Sequence, residues 1–188
     1  MSKVMGIDLA GLEKNDTGIC SLIFSEDKEI AKVVKVKKVK TDAQILSEIE
    51  KEMPLVVAID APLSLPKRGM MRSCDKELQQ YGAISPLLGG MKALTERAIE
   101  LKRIISESYE VIEVNARIGA KMLGYYNKDT SVQQKALIEM GIEGDIKERI
   151  LSEDEIDAIS AAIIAYLYVN GKCMAIGGED GYTIVPKL

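Results

Sequence analysis

Two aspartates in this chain each follow an apolar run and precede residues that stop a strand. Val56-Val57-Ala58-Ile59 leads into Asp60, and Pro62 then cannot donate to a sheet ladder. Val4-Met5-Gly6-Ile7 leads in the same way into Asp8, with Leu9-Ala10-Gly11 behind it. A buried carboxylate without a partner is costly. Two that face each other repel, and a divalent cation or a shared proton relieves the repulsion. Strand-end aspartates also cap loops in many α/β proteins, and that plainer reading stands beside the first.

Other acids extend the set. Asp154 and Asp157 are three residues apart, so they share one face of the helix their segment predicts. Asp154 falls in the first turn, where the helix dipole favours negative charge, and Asp157 is better placed to reach inward. Glu113 ends a further apolar segment and is either part of the acid set or an ion-pair partner for Arg117. Metal-assisted phosphoryl transfer needs carboxylates converging on Mg²⁺ or Mn²⁺, with positions left for water and phosphate oxygens. Asp8, Asp60 and Asp157 are the candidate ligands; with Asp154 and Glu113 they are the candidate catalytic residues. Arg68 and Arg72 lie in the connection leaving Asp60 and are candidates for meeting a phosphate or carboxylate on a substrate. Arg72 equally suits a structural bridge to Asp75 or Glu77.

Composition narrows the chemistry. The 188 residues contain no histidine, which removes Ser-His-Asp and Cys-His catalysis, His-ligated zinc and His proton relays. Cys74 therefore reads as a small buried side chain rather than a nucleophile. No Walker A, G-x-G-x-x-G or G-x-S-x-G pattern occurs. The formal charge of −4 advertises no global attraction to nucleic acid, although a local groove can still be basic. Three scattered cysteines make neither a CxxC nor a disulfide framework, which fits a reducing cytoplasm. No signal peptide is visible, and the apolar stretch at 158–169 is too short to span a bilayer.

The elements that must position these groups follow from periodicity. Residues 3–9, Gly18–Phe24 and Ile30–Val39 read as strands, joined by a turn at Asn15–Gly18 and a polar connection at Ser25–Glu29. The third alternates valine with lysine, as a lysine-protected edge strand does; a nucleic-acid-binding surface is the other reading of Lys32, Lys35, Lys37, Lys38 and Lys40. Thr41 or Asp42 caps a helix, and Leu55–Ile59 is the next strand. A short helix is expected through Tyr81, ended by Gly82, then a helix over Met91–Glu107 and a strand over Tyr109–Val114. Residues 116–151 read as short helices around Gly124 and Gly141, with the polar stretch 143–149 outermost. Ser152 and Glu155 form a capping box for a last, Ala-rich helix, and short strands close the chain at Cys173–Ile176 and Tyr182–Val185. The length fits one domain over 1–188, with inserted regions at about 61–108 and 116–151.

Taken together, Gly6-Ile7-Asp8-Leu9-Ala10-Gly11, Ala58-Ile59-Asp60-Ala61-Pro62, Arg72-x-Cys74-Asp75, Glu113, Asp154-Glu155-Ile156-Asp157-Ala158 and Gly181-Tyr182-Thr183-Ile184-Val185-Pro186 resemble the DUF429 family. Its members are predicted nucleases with a ribonuclease H-like fold, akin to Holliday-junction resolvases. The resemblance implies an α/β fold with a mixed five-stranded sheet, chain order β-β-β-α-β-α-β-α, helices on both faces and helical insertions. It implies that Asp8 is the first-strand acid, Asp60 the fourth-strand acid where resolvases usually carry glutamate, and Asp154 and Asp157 the pair on the last helix. The chain departs from the family at Val114-Asn115, where relatives often have His-Pro.

Three functions fit this reading. The first is Mg²⁺- or Mn²⁺-dependent phosphodiester hydrolysis of nucleic acid, DNA or RNA. The second is a metal-dependent enzyme on a small phosphorylated or nucleotide substrate, for which a closed pocket roofed by residues 63–90 would speak. The third is a non-catalytic, metal-stabilised binding protein. Met70, Met71 and Leu87-Leu88 supply an apolar surface for a homodimer if they are exposed.

Overall fold

The computed structural model describes residues 1–25 and 31–187, with backbone alone for 31–34. Residues 26–29 of the expected second connection, the first residue of the expected third strand (30) and the Lys32 side chain lie outside the described residues. In chain order the elements are β1 (Ser2–Asp8), β2 (Thr17–Phe24), β3 (Ala31–Val39), α1 (Asp42–Glu52), β4 (Val56–Asp60), α2 (Ser73–Glu77) and α3 (Met91–Ile105). They continue with β5 (Glu110–Val114), α4 (Ala116–Met122), α5 (Thr130–Glu139), β6 (Glu143–Gly144), α6 (Glu153–Val169), β7 (Cys173–Gly178) and β8 (Gly181–Pro186).

All strands join one mixed sheet in the order β6-β3-β2-β1-β4-β5-β8-β7. The first three run antiparallel, then β4 and β5 add in parallel on the other side of β1. This is the five-stranded arrangement expected from the sequence, but the sheet is wider than five. β7 and β8 continue it beyond β5 to give seven full strands, and the two-residue β6 touches β3. That last contact corrects two expectations. The 143–149 stretch is not outermost: Ile146 is fully buried, and the Asp145 carboxylate accepts the Val36 N–H at 3.0 Å. β3 is accordingly covered along part of the edge it was expected to leave open.

Strand alternation divides the core in two. Val4, Ala58 and Val114 face α6, which brings Ile156, Ile159 and Ile163 against them. Met5, Ile7, Val57 and Ile59 face the other way, onto Ile45 and Ile49 of α1 and Ala98 and Leu101 of α3. Because side chains repeat every two residues, Asp8 and Asp60 necessarily point to the α6 side, in step with Val4 and Ala58. Glu113 has the parity of Val111, which packs with the opposite cluster.

Helix boundaries obey local chemistry. Thr41 accepts the Gln44 N–H at 3.2 Å while the Gln44 side chain accepts from the Thr41 N–H, also at 3.2 Å, closing a capping box. The Ser152 N–H donates to Glu155 at 3.0 Å, and Arg149 binds the same carboxylate, so the start of α6 is fastened from both sides. Among the described residues no helix is long and apolar enough to cross a membrane.

Candidate active site

Asp8 and Asp60 end adjacent parallel strands and are paired in register, which sets their Cα atoms about 4.8 Å apart. The third acid comes from α6, and two glycines decide how near it can lie. A Cβ at Gly6 would stand 2.2 Å from the Ala158 carbonyl oxygen and from the Ala162 nitrogen. A Cβ at Gly18, the residue paired with Asp8 on β2, would stand 2.0 Å from the Asp154 carbonyl oxygen. Only glycine at these positions lets the helix backbone lie on the strands. The small Ala158, Ala161 and Ala162, all fully buried, complete the fit. Asp157, one turn before Ala161, is thereby held over the strand ends.

Asp8, Asp60 and Asp157 line one cavity of about 270 Å³. The β4–β5 connection adds Leu78, Ala83, Ile84, Met91 and Leu94 to its lining. The three acids are held well away from their ordinary acidity. Burial, then Asp60, Asp157 and Asp154, push Asp8 well above the usual carboxylate range. Burial and the Asp157 charge push Asp60 up to about 7, against the Ala116 backbone N–H and Arg117, which favour its ionised form. Burial and Glu153 push Asp157 up to about 6, with Arg117 again opposing.

Asp154 does not line this cavity. It lies near Lys38 and Asp16, and burial raises its carboxyl while Lys38 opposes the rise. Its charge still reaches Asp8.

Glu113 also lines the cavity but is fully engaged. Its carboxylate accepts from Arg72 Nη1 and Nη2, both at 2.7 Å, from the Leu63 N–H at 2.6 Å and from the Thr183 hydroxyl at 2.7 Å. Arg72 is 1% exposed, and each of its five N–H donors has an acceptor. Nε and Nη2 bind Asp75, Nη1 binds Ser64, and Nη1 and Nη2 bind Glu113. The expectation that Arg72 meets a substrate is therefore replaced by the structural bridge, because no donor remains free. The bridge runs to Asp75 and Glu113, not to Glu77. Glu113 likewise pairs with Arg72 rather than Arg117. Its strand parity sent it toward the loop side, and it keeps no free oxygen lone pair for an easy second role. Arg68 is exposed and does not line the cavity. Cys74 is fully buried, and burial pushes its thiol up to about 11, as expected of a packing residue.

Two residues that were not among the candidates for chemistry in the sequence line the cavity beside the acids. Arg117, on the first turn of α4, is more than half exposed and lies 3.5 Å from Glu153. Asn115 caps α4 by accepting the Ile118 N–H at 2.9 Å on Oδ1, which leaves its amide nitrogen as a donor at the cavity wall. Neither carried a signal in the sequence, since an arginine two residues after a cap is commonplace.

The lysines of β3 are largely neutralised. Lys37 pairs with Glu48 at 2.6 Å, Lys35 pairs with the same carboxylate, and Lys38 pairs with Asp16 at 2.8 Å. These contacts favour the edge-strand reading of the lysine pattern over a nucleic-acid surface.

Among the described residues no three His, Cys, Asp or Glu side chains sit in direct ligating geometry. The donors nonetheless suit one class of ion. Asp8, Asp60 and Asp157 are hard oxygen donors that repel each other at the mouth of a cleft, with no histidine or thiolate among them. Mg²⁺ and Mn²⁺ accept such a set, and Mg²⁺ in particular keeps several waters and binds through one or two carboxylates.

No protein-family model matches the chain, and no curated protein is significantly similar in sequence. Among solved structures, the chain is similar to the Thermus thermophilus RuvC structure at 12% identity and a TM-score of 0.53, over 90% of this chain and 96% of that one. Two Fowlpox virus Holliday junction resolvase structures, one a complex with its substrate junction DNA, share 13% and 11% identity with TM-scores of 0.48 and 0.47. Each covers 89% of this chain, and the shares of those two chains are 99% and 98%. At such identities the first likeness carries the architecture: a central mixed sheet flanked by helices, of the RuvC-like ribonuclease H type.

Proposed function

We propose that the protein is a divalent-metal-dependent phosphodiesterase acting on nucleic acid, with Asp8, Asp60 and Asp157 as its metal-binding and catalytic residues. The observation that carries this reading is the meeting of three carboxylates from β1, β4 and α6 at one cavity, each raised in pKa by burial and by its neighbours. A folded chain that tolerates such repulsion without supplying enough positive charge of its own is built for a cation from outside. The RuvC-like fold and the DUF429 resemblance support the same assignment.

When bound, Mg²⁺ or Mn²⁺ would neutralise these carboxylates and polarise a phosphoryl oxygen. The protein's own groups do the rest. Asp8 and Asp60 would hold the ion from two adjacent, register-paired strand ends, positions more precise than loops. Asp157 is carried by α6, whose start is locked by the Ser152–Glu155 box. Arg117, exposed at the mouth, pairs with a phosphate oxygen, exchanging its solvent-exposed contact with Glu153 for that anion. Asn115 offers a neutral donor to a second oxygen. Asp154 adds negative charge near Asp8 from outside the cavity. Glu113 holds Arg72 and the Leu63 N–H, so its part is to shape the cavity wall.

A side-by-side assay tests this. Wild type and Asp8→Asn are incubated at low salt with Mn²⁺ and a panel of single strands, duplex DNA, RNA–DNA hybrid and four-way junctions. Cleavage by wild type that is lost in a folded Asp8→Asn supports the assignment; equal cleavage by both removes the acids from the mechanism. Silence of the wild type on every member overturns the nucleic-acid substrate. One observation favours a second reading in that event. The cavity is walled in part by residues between 61 and 94, and its size suits a small phosphorylated or nucleotide substrate.

A further inference from the structure

We infer that the apolar lining of this cavity seats the base of one unpaired nucleotide whose phosphate lies at the acids; the placing of the phosphate rests on the phosphodiesterase reading above. The cavity lining is of two chemical kinds. The strand ends, α6 and the start of α4 supply Asp8, Asp60, Asp157, Asn115 and Arg117. The β4–β5 connection supplies the apolar Leu78, Ala83, Ile84, Met91 and Leu94 beside the engaged Arg72 and Asp75. Ile84 is 51% exposed, an apolar surface that folding leaves in water although it lines a cavity. With a divalent cation held by the acids, a ligand matching both kinds of lining has a flat or compact apolar body joined to an anion, and a nucleoside monophosphate unit is that ligand.

Size sharpens the assignment. About 270 Å³ lies just below the usual range for small-molecule pockets, and it suits a base with part of its sugar. A base inside a duplex does not reach a cleft of this kind; enzymes that read a base in such a site take it out of the stack. The wall carries no aromatic ring, so the base would lie between aliphatic side chains and the polarisable sulfur of Met91.

The wall is also held in place before any ligand arrives. Lys121 Nζ donates to the Tyr81 carbonyl at 2.6 Å, tying the connection to α4. The Ser85 hydroxyl donates to the Met70 carbonyl at 2.5 Å, and the Thr95 hydroxyl reaches the Pro86 carbonyl at 3.1 Å. The segment Gly82–Ile84 is thus flanked by anchors at Tyr81, Ser85 and Pro86. A pre-formed wall loses little freedom on binding.

The nucleotide has two sources, free in solution or within a strand, and fluorescence of 2-aminopurine separates them. Binding is measured with Ca²⁺ present to neutralise the acids, for 2-aminopurine deoxyriboside 5′-monophosphate and for a single-stranded oligonucleotide carrying one 2-aminopurine, with deoxyribose 5-phosphate as the base-free competitor. The expected result is competition by the base-free phosphate at least about tenfold weaker than by the nucleotide, the scale of one modest apolar surface leaving water. Ile84→Glu, a change at an exposed position that leaves folding intact, weakens both probes by a similar factor. Ala83→Phe, which fills the cavity, does the same without adding charge. Equal binding of nucleotide and base-free phosphate overturns the inference, as does unchanged binding in both variants. Failure of the nuclease reading looks different: no cleavage of any strand, with the base-dependent binding and its loss in Ile84→Glu intact. Failure of the inference alone leaves metal-dependent cleavage that Ala83→Phe does not slow.

Discussion

Asp60 and Glu113 lie on neighbouring parallel strands, one residue apart in register, and line the same cavity, yet the fold treats them in opposite ways. Glu113 is met by a buried guanidinium, a backbone N–H and a hydroxyl, and with Asp75 it surrounds Arg72 completely. Asp60 is met by one backbone N–H and by a more distant Arg117, while Asp8 and Asp157 crowd it. The difference of one residue along a strand sends the first toward the loop side and the second toward α6. Carboxylates that a protein needs for structure are given cations; those left unpaid in charge mark where an outside cation is expected. The lesson is that the count of acids at a site says less than the count of their partners.

Breaking the satisfied region should have the largest effect. Arg72→Met leaves Glu113 and Asp75 buried without their cation, and stability should fall by about 3–5 kcal/mol in urea unfolding. Adding Asp75→Asn and Glu113→Gln to it should recover much of that loss. If Arg72→Met alone costs nothing, the network is not what holds the loop.

The next effect is geometric. Gly18→Ala places a methyl group against the Asp154 carbonyl, so α6 must shift. We expect a loss of about 1–3 kcal/mol from overpacking. Affinity for Mn²⁺, read by titration calorimetry, should fall with it, because Asp157 moves away from the strand ends. Retained affinity would show that α6 does not set the site.

Relieving the unsatisfied region should do the reverse of the first change. Carboxyls with raised pKa values keep protons in the folded state that the unfolded chain has already released. Below about pH 4 both states are protonated, and Asp60 and Asp157 contribute no difference. Between there and the folded values of about 7 and about 6, stability should fall as pH rises, and above pH 7 the whole penalty is present. Asp60→Asn should therefore be more stable than wild type at pH 8 without metal, on the order of 2 kcal/mol after allowance for partial exposure. The gain should vanish at pH 4 or when Mn²⁺ is added to the wild type. Thermal unfolding at the two pH values decides it, and a destabilised Asp60→Asn at pH 8 would mean that its carboxylate is already satisfied.

The smallest effect belongs to the β3 lysines. Lys37→Ala removes a partly exposed pair with Glu48 and should change stability by less than about 1 kcal/mol. It should also leave oligonucleotide affinity near the wild-type value; a sharp loss, with a reduced salt slope, would restore that strand as a binding surface.

Much of this was legible in the residues themselves. Strand positions followed from apolar runs, helix starts from Thr41 and Ser152, and a stop from Gly82. The pairing of Asp8 with Asp60 was suggested by two strands of the same pattern. Less legible were contacts with no local signature: the β6 segment on β3, the engagement of Arg72 and the placement of Arg117. Each joins parts of the chain far apart in sequence, and no period or capping rule reaches so far.

The sequence by itself determined which carboxylates end strands, which helix brings another, and that histidine has no part in any chemistry here. Only the tertiary structure decided which acids are paired and which are left facing one another. That outcome depends on strand parity across a sheet and on how closely α6 lies over Gly6 and Gly18. Burial and charge act through space, so the same residue type becomes a structural anchor at 113 and an unsatisfied acid at 60.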